Sequence, residues 1–306
     1  MQGTVDGFSY GLVTPVAAYL MACLGGALGL RCTTRSLRNR DTFKAGWLAL
    51  GATSIGTGIW TMHFIAMMGF SVRQAPISYD KPLTFASLGV AVLMVGIGIF
   101  IVGYRGATPL TLVTGGTITG LGIATMHYLG MAGMRLQGRI EYDTLTVALS
   151  VVIAVVAATA ALWAAVSVHG FLASLGASMV MGLAVSGMHY TAMAAVHVHL
   201  HDTVTLGGGG VADPATSLLL PMLIGPAVFL LLAAVVVMFD PLLVMGEPDW
   251  QRPAAQRGHR PGVPAPRRSA AYGEPANWSS RPPSGRQARR GARRGAHRGA
   301  HHSRDW

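Results

Sequence analysis

The sequence predicts an all-α integral membrane protein: seven transmembrane helices, built from three two-helix repeats and a final helix, followed by a disordered basic cytoplasmic tail. Three observations carry this prediction. Seven apolar stretches, each long enough to cross a bilayer at roughly 20 residues, lie at about 11–30, 46–70, 83–104, 110–134, 146–168, 171–196 and 218–239, and none holds Asp, Glu, Lys or Arg. Charged residues make up only 11% of the chain, well below the share a soluble domain carries. A short pattern occurs three times, as Met62-His63-Phe64, Met126-His127-Tyr128 and Met188-His189-Tyr190, with Met67, Met131 and Met193 four residues after each His. The histidines are 64 and 62 residues apart, the regular period of an internal repeat.

Helices are the expected form of the apolar stretches, because backbone exposed to lipid must satisfy its own hydrogen bonds. The start of the chain has Asp6 and no Lys or Arg before Tyr10, so the first stretch reads as a retained helix and not as a cleavable leader. The connection from residue 31 to 44 holds Arg31, Arg35, Arg38, Arg40 and Lys44, which places it in the cytoplasm. The amino terminus is then outside, the second, fourth and sixth helices run outward, and the carboxyl terminus is cytoplasmic. Cys23 and Cys32, near one end of the first helix, form neither a disulfide framework nor a thiolate metal cluster.

The motif helices also carry small residues at four-residue spacing, Gly116/Gly120, Ser54/Gly58 and Ser178/Gly182, which let helices approach closely in lipid. The chain divides into a membrane domain at 1–240 and a tail at 241–306. Thirteen arginines against four acidic residues follow Asp240, so the tail has a surplus of nine positive charges, while the first 240 residues have a surplus of two. Rich in Pro, Gly, Ala and Arg, the tail reads as disordered. It could touch anionic lipid, but without interleaved aromatics it gives no reason to expect nucleic acid.

Ionisable side chains inside a bilayer are costly and point to function. Each motif His lies about seven residues before the outer end of its helix, at a common depth, so three repeats related by an axis along the membrane normal would bring three imidazoles together. Imidazole suits Zn, Cu, Fe and Ni, and thioether sulfur selects Cu(I). Met67, Met131 and Met193 share a helix face with their histidines, whereas Met62, Met126 and Met188 point roughly 100° away and either line a second site or pack against neighbours. The hydroxyls of Tyr128 and Tyr190 could bond a ligand or its neighbour, and Phe64 cannot. A copper ion held this way, with a position open, could take a diatomic gas such as O2, CO or NO. Two of the histidines could instead ligate a haem, although three equivalent positions suit a trigonal site better. No carboxylate relay or catalytic cluster is present, so neither a pump nor an enzyme is expected. After the sixth helix, His197, His199 and His201 alternate; on an extended segment they would face one side and bind a metal weakly, and a solvated external loop is the simpler reading.

The three Met-His-Tyr/Phe copies with their trailing Met resemble the MHYT domain, an integral-membrane sensory module of bacteria, over about residues 11–240. The resemblance implies seven helices with the motifs near the outer face and copper held through Met62, His63, Met126, His127, Tyr128, Met188, His189 and Tyr190, with Met67, Met131 and Met193 beside them. It also implies sensing of oxygen, CO or NO. Members of the family often carry a cytoplasmic output domain. Here about 66 residues follow the last helix, with no phosphate loop or acidic catalytic cluster, so the expected output is through a cytoplasmic signalling partner or through the tail itself. A copper-handling protein without a signalling role is the alternative reading.

Overall fold

The computed structural model describes residues 5–6, 10–38, 44–72, 77–136, 138–168, 170–200 and 215–239. The expected tail, the part of the sixth connection from His201 to Asp213, and His169 lie outside these residues. The described chain forms seven helices: α1 (Val13–Arg38), α2 (Lys44–Met68), α3 (Lys81–Arg105), α4 (Pro109–Ala132), α5 (Thr144–Ser167), α6 (Phe171–Ala194) and α7 (Ala215–Met238). Each helix from α1 to α6 packs on the next, and α6 returns to α1, so the six close into a ring; α7 lies against α2 and α1. Leu20, Leu93, Leu121, Val156, Leu183 and Leu231 are among the large apolar side chains left exposed on the helices, the expected outward face of a bundle in lipid.

Six of the helices are long and apolar enough to cross a membrane, the architecture of a multi-pass membrane protein. The exception among the seven predicted spans is α2, and its position explains why. Fifteen of its 25 residues are buried, against five of 24 in α5. A helix enclosed by α1, α3 and α7 meets protein where α5 meets lipid, so its Gly, Ser and Thr residues serve close packing. Gly58 shows the requirement: a Cβ there would lie 2.7 Å from the Gly25 Cα of α1. In the same way Gly116 and Gly120 receive Thr159 and Val155 of α5.

α1 is longer than predicted. It continues through Arg31, Arg35 and Arg38, which were expected in a loop; cations in a last turn are favoured by the carbonyl end of the helix. Arg35 also lies over the Trp47 ring, 5.5 Å from its centroid.

The connections expected to be external contain paired strands that the sequence reading left as loops. β1 (Val5–Asp6) pairs with β2 (Ser71–Val72), β3 (Ser78–Tyr79) with β4 (Met134–Arg135), and β5 (Gly138–Tyr142) with β6 (Val196–Leu200), all antiparallel. Each ribbon joins the strand before an odd helix to the strand after the following even helix. The repeat is therefore a closed β–α–α–β unit, and its mouth is tied twice more by Asp80 N–H to Gly133 O (2.8 Å) and Asp143 N–H to Ala195 O (2.9 Å). The same two aspartates cap the odd helices, Asp80 accepting from Leu83 N–H and Asp143 from Thr146 N–H.

Candidate metal centre

The three motif histidines occupy one level. Each lies five residues before the end of its helix, closer to the end than the seven expected, or about 7.5 Å at 1.5 Å per residue. All three are buried, at 1%, 1% and 2% exposure for His63, His127 and His189. Their Nδ1 atoms meet: His63 to His189 is 3.1 Å, His63 to His127 is 3.2 Å and His127 to His189 is 3.3 Å. The ring of helices thus brings together three residues far apart in sequence, as the 64- and 62-residue spacing predicts.

This triangle cannot be held together by hydrogen bonds alone. An imidazole nitrogen carries either a proton or a lone pair. Around a ring of three, donors and acceptors cannot alternate, so at least one contact must set proton against proton or lone pair against lone pair. A cation at the centre removes the conflict. Three nitrogens about 2.0–2.1 Å from one tetrahedral ion lie about 3.3–3.4 Å apart, and the observed separations are within a few tenths of that. The donor set fits a metal ion, which His63, His127 and His189 would hold.

The outer nitrogens are enclosed as well. Nε2 of His63 and of His127 is buried without a hydrogen-bond partner. Metal-bound histidines ordinarily donate this proton to a carbonyl or carboxylate, so holding two bare donors costs about 1–3 kcal/mol each. His63 Nε2 faces the backbone of α4, where a Cβ on Gly130 would lie 2.7 Å from it. Gly130 is three residues after His127; Ala66 and Ala192 hold the same place after His63 and His189. Sequence reasoning missed this position, although a small residue at the third place after every motif His was there to be seen.

Met62, Met126, Met188, Met67 and Met131 are fully buried, and Met193 is half-buried against the core. Each aromatic packs edge-on against its own histidine, with ring centroids at 4.6 Å for Phe64, 4.9 Å for Tyr128 and 5.0 Å for Tyr190. The Tyr128 hydroxyl is engaged elsewhere, 2.7 Å from Ser150 Oγ on α5. Ser150 gives its one hydroxyl proton to Val147 O (2.7 Å), so Tyr128 is the donor of that pair.

Inward of the triangle the helices enclose an apolar cavity of about 30 Å³. Its lining includes Ile59, Ile123 and Val185, each four residues before a motif His, and Ile55, Thr119 and Met181, each eight before. At 1.5 Å per residue the cavity begins about 6 Å below the histidine level.

Comparison with known proteins agrees with this repeat structure. Residues 56–115 and 120–178 match the family described as MHYT, bacterial signalling protein N-terminal repeat; His63 and His127 fall within the two matches and His189 outside them. The chain is 38% identical over 208 residues to the bifunctional diguanylate cyclase/cyclic di-GMP phosphodiesterase MucR of Pseudomonas aeruginosa, covering 66% of this chain and 30% of that protein. It is 36% identical over 212 residues to the cyclic di-GMP phosphodiesterase NbdA of the same organism, covering 64% of this chain and 26% of that protein. With the signaling protein YkoW of Bacillus subtilis it shares 31% identity over 188 residues, covering 59% and 23%. The chain therefore spans less than a third of the length of these relatives. No solved structure matches it. Two matched stretches, each holding one of the buried motif histidines, identify MHYT repeats in this chain.

Proposed function

We propose that the chain is a membrane sensor whose input is a copper ion held by His63, His127 and His189, with thioether sulfur from the flanking methionines. The observation that carries the reading is the Nδ1 triangle, which a cation completes and hydrogen bonding cannot. Methionines on both sides of each His, all buried except the half-buried Met193, favour copper, since soft thioethers select Cu(I) over harder ions. Met67, Met131 and Met193 are the proposed donors from the same helix face, and Met62, Met126 and Met188 line the surroundings. Tyr128 and Tyr190 act through ring packing on the histidines. When bound, the copper would supply an open position for a diatomic gas, and the cavity beneath has room for a small apolar molecule.

The residues around the triangle also supply a route outward from it. Tyr128 ties α4 to α5 through Ser150, and Trp60 ties α2 to α3 through Ser87. A shift of the motif helices is thereby passed to odd helices. The far ends of α1 and α3 carry Arg31, Arg35, Arg38 and Arg105, a basic face that supports a cytoplasmic location for this side. Relatives named for cyclic di-GMP synthesis and breakdown support a signalling output, here through a cytoplasmic partner. Copper handling without signalling is the second reading, and the buried thioether-rich surroundings favour it equally.

Metal analysis of the purified protein tests the site. We expect one copper per chain, lost in His63→Ala, His127→Ala and His189→Ala alike. A variant that keeps its full metal content removes that histidine from the site.

A further inference from the structure

The β5–β6 ribbon carries imidazole and carboxylate side chains that the buried triangle does not use. In β6, Val196 and Val198 are buried while His197 and His199 are exposed, so the alternation turns both imidazoles to the aqueous face. On β5, Glu141 stands directly opposite His197 in the register, and its Oε2 lies 3.5 Å from His199 Nε2. Donors about 2.0–2.2 Å from one tetrahedral ion lie about 3.3–3.6 Å apart, so this contact already has the spacing of two ligands on a shared ion. Asp143, just beyond the strand, interacts electrostatically with His197 and adds negative charge on that side. Arg139 opposes it, lying opposite His199.

We propose that His197, His199 and Glu141 form an exposed site for a borderline divalent cation such as Cu(II) or Zn(II), at the mouth of the repeat whose helix carries His189. Imidazole and carboxylate suit the oxidised or harder ions, where the buried set suits Cu(I). β6 begins two residues after α6 ends, so the site lies on the continuation of a motif helix and its framework is a paired ribbon. It is open to water, and its ion exchanges with solution chelators. The proposal stands on the ribbon alone and does not require the buried triangle to hold copper.

The test uses the full chain in lipid nanodiscs, titrated with Cu(II) and followed by electron paramagnetic resonance. We expect a chelator-accessible Cu(II) signal with nitrogen hyperfine structure, absent from the His197→Ala/His199→Ala variant and weakened in Glu141→Gln. Arg139→Ala should bind more tightly. His63→Ala should keep this signal even where its tightly held metal is gone, which separates failure here from failure at the buried site. The same Cu(II) signal in wild type and the double histidine variant, or no chelator-accessible signal in wild type, would overturn the proposal and leave Glu141 and His199 as a surface ion pair.

Discussion

The first and second repeats solve one packing problem with different residues. In the second, the aromatic after the histidine is Tyr128, whose hydroxyl reaches Ser150 on α5 at 2.7 Å. In the first it is Phe64, which has no hydroxyl to give. Ser87 stands seven residues after the capping Asp80, as Ser150 stands seven after Asp143, and it accepts from Trp60 Nε1–H at 3.0 Å. Trp60 also donates to Thr84 O at 3.1 Å. Each serine spends its own proton on a carbonyl one turn back, Thr84 O at 2.6 Å and Val147 O at 2.7 Å. In both repeats, then, the motif helix is clamped to the next odd helix by a donor from an aromatic side chain. The clamp is the common feature; the tyrosine is one way to build it, which accounts for a motif copy that lacks one.

The largest effect should come from the place where the two repeats touch. A Cβ on Gly130 would meet His63 Nε2 at 2.7 Å and Phe64 Cζ at 3.2 Å. Gly130→Ala should therefore cost about 1–3 kcal/mol by overpacking, read as a lower Tm, and should reduce bound metal by displacing His63. The reverse change at the matching site, Ala192→Gly, should cost no more than about 1 kcal/mol and leave metal content alone. Equal behaviour of the two variants would mean that the histidine rings are not seated as described.

Next in size is the clamp. Trp60→Phe empties part of a fully buried site and strips a donor from Thr84 O and Ser87 Oγ, a loss of about 1–3 kcal/mol. Tyr128→Phe removes one hydrogen bond at a half-buried position and should cost about 0.5–1.5 kcal/mol. Phe64→Tyr alone adds a hydroxyl to a ring that is 0% exposed, and should destabilise. Combined with Trp60→Phe, it gives the first copy the tyrosine that serves Ser150 in the second, so the pair should be less harmful than the sum of its parts by about 0.5–3 kcal/mol. Additive Tm losses would break the claim that the repeats are interchangeable at this point.

Much of this was legible in the sequence, for physical reasons that the two repeats make plain. The seven helices follow from apolar length, and the meeting of the histidines follows from equal spacing on helices of one direction. Apolar length says nothing of which helix is enclosed, so α2 read as one more span although its Gly51, Ser54, Thr57 and Gly58 are the marks of an interior helix. The β1–β2 and β3–β4 ribbons were invisible because two-residue strands have no periodicity to detect, and because β3 and β4 are 55 residues apart; β6 showed only as the alternation of His197 and His199, with nothing in the sequence to name β5 as its partner. Gly130 was hidden for another cause: its role depends on a ring contributed by a different repeat. The Trp60–Ser87 pair, too, exists only across two helices.

The smallest effect concerns the caps. Asp80 and Asp143 hold corresponding places, but Asp80 is bonded to the Arg135 guanidinium at 2.6 Å, while Asp143 is bonded to the Thr146 hydroxyl at 2.6 Å and its N–H at 2.8 Å. Arg135, then Leu83 N–H, holds the Asp80 carboxyl below its ordinary value; Thr146 hydroxyl and N–H do the same for Asp143. A carboxyl depressed in the folded state stabilises the fold above its unfolded value of about 3.9 and loses that contribution as pH falls through the lower folded value. The Tm should therefore be level above about pH 5 and fall below about pH 4, with a shallower fall in Asp80→Asn and in Asp143→Asn. Salt separates the two. Asp80 owes its shift first to a charged partner that is 68% exposed, so high ionic strength should flatten its share. Asp143 relies mainly on neutral donors, and the part of the acid slope that Asp143→Asn removes should survive in salt. If high salt abolishes both parts equally, the two caps are held by the same force, and the distinction between these repeats ends at their outer rim.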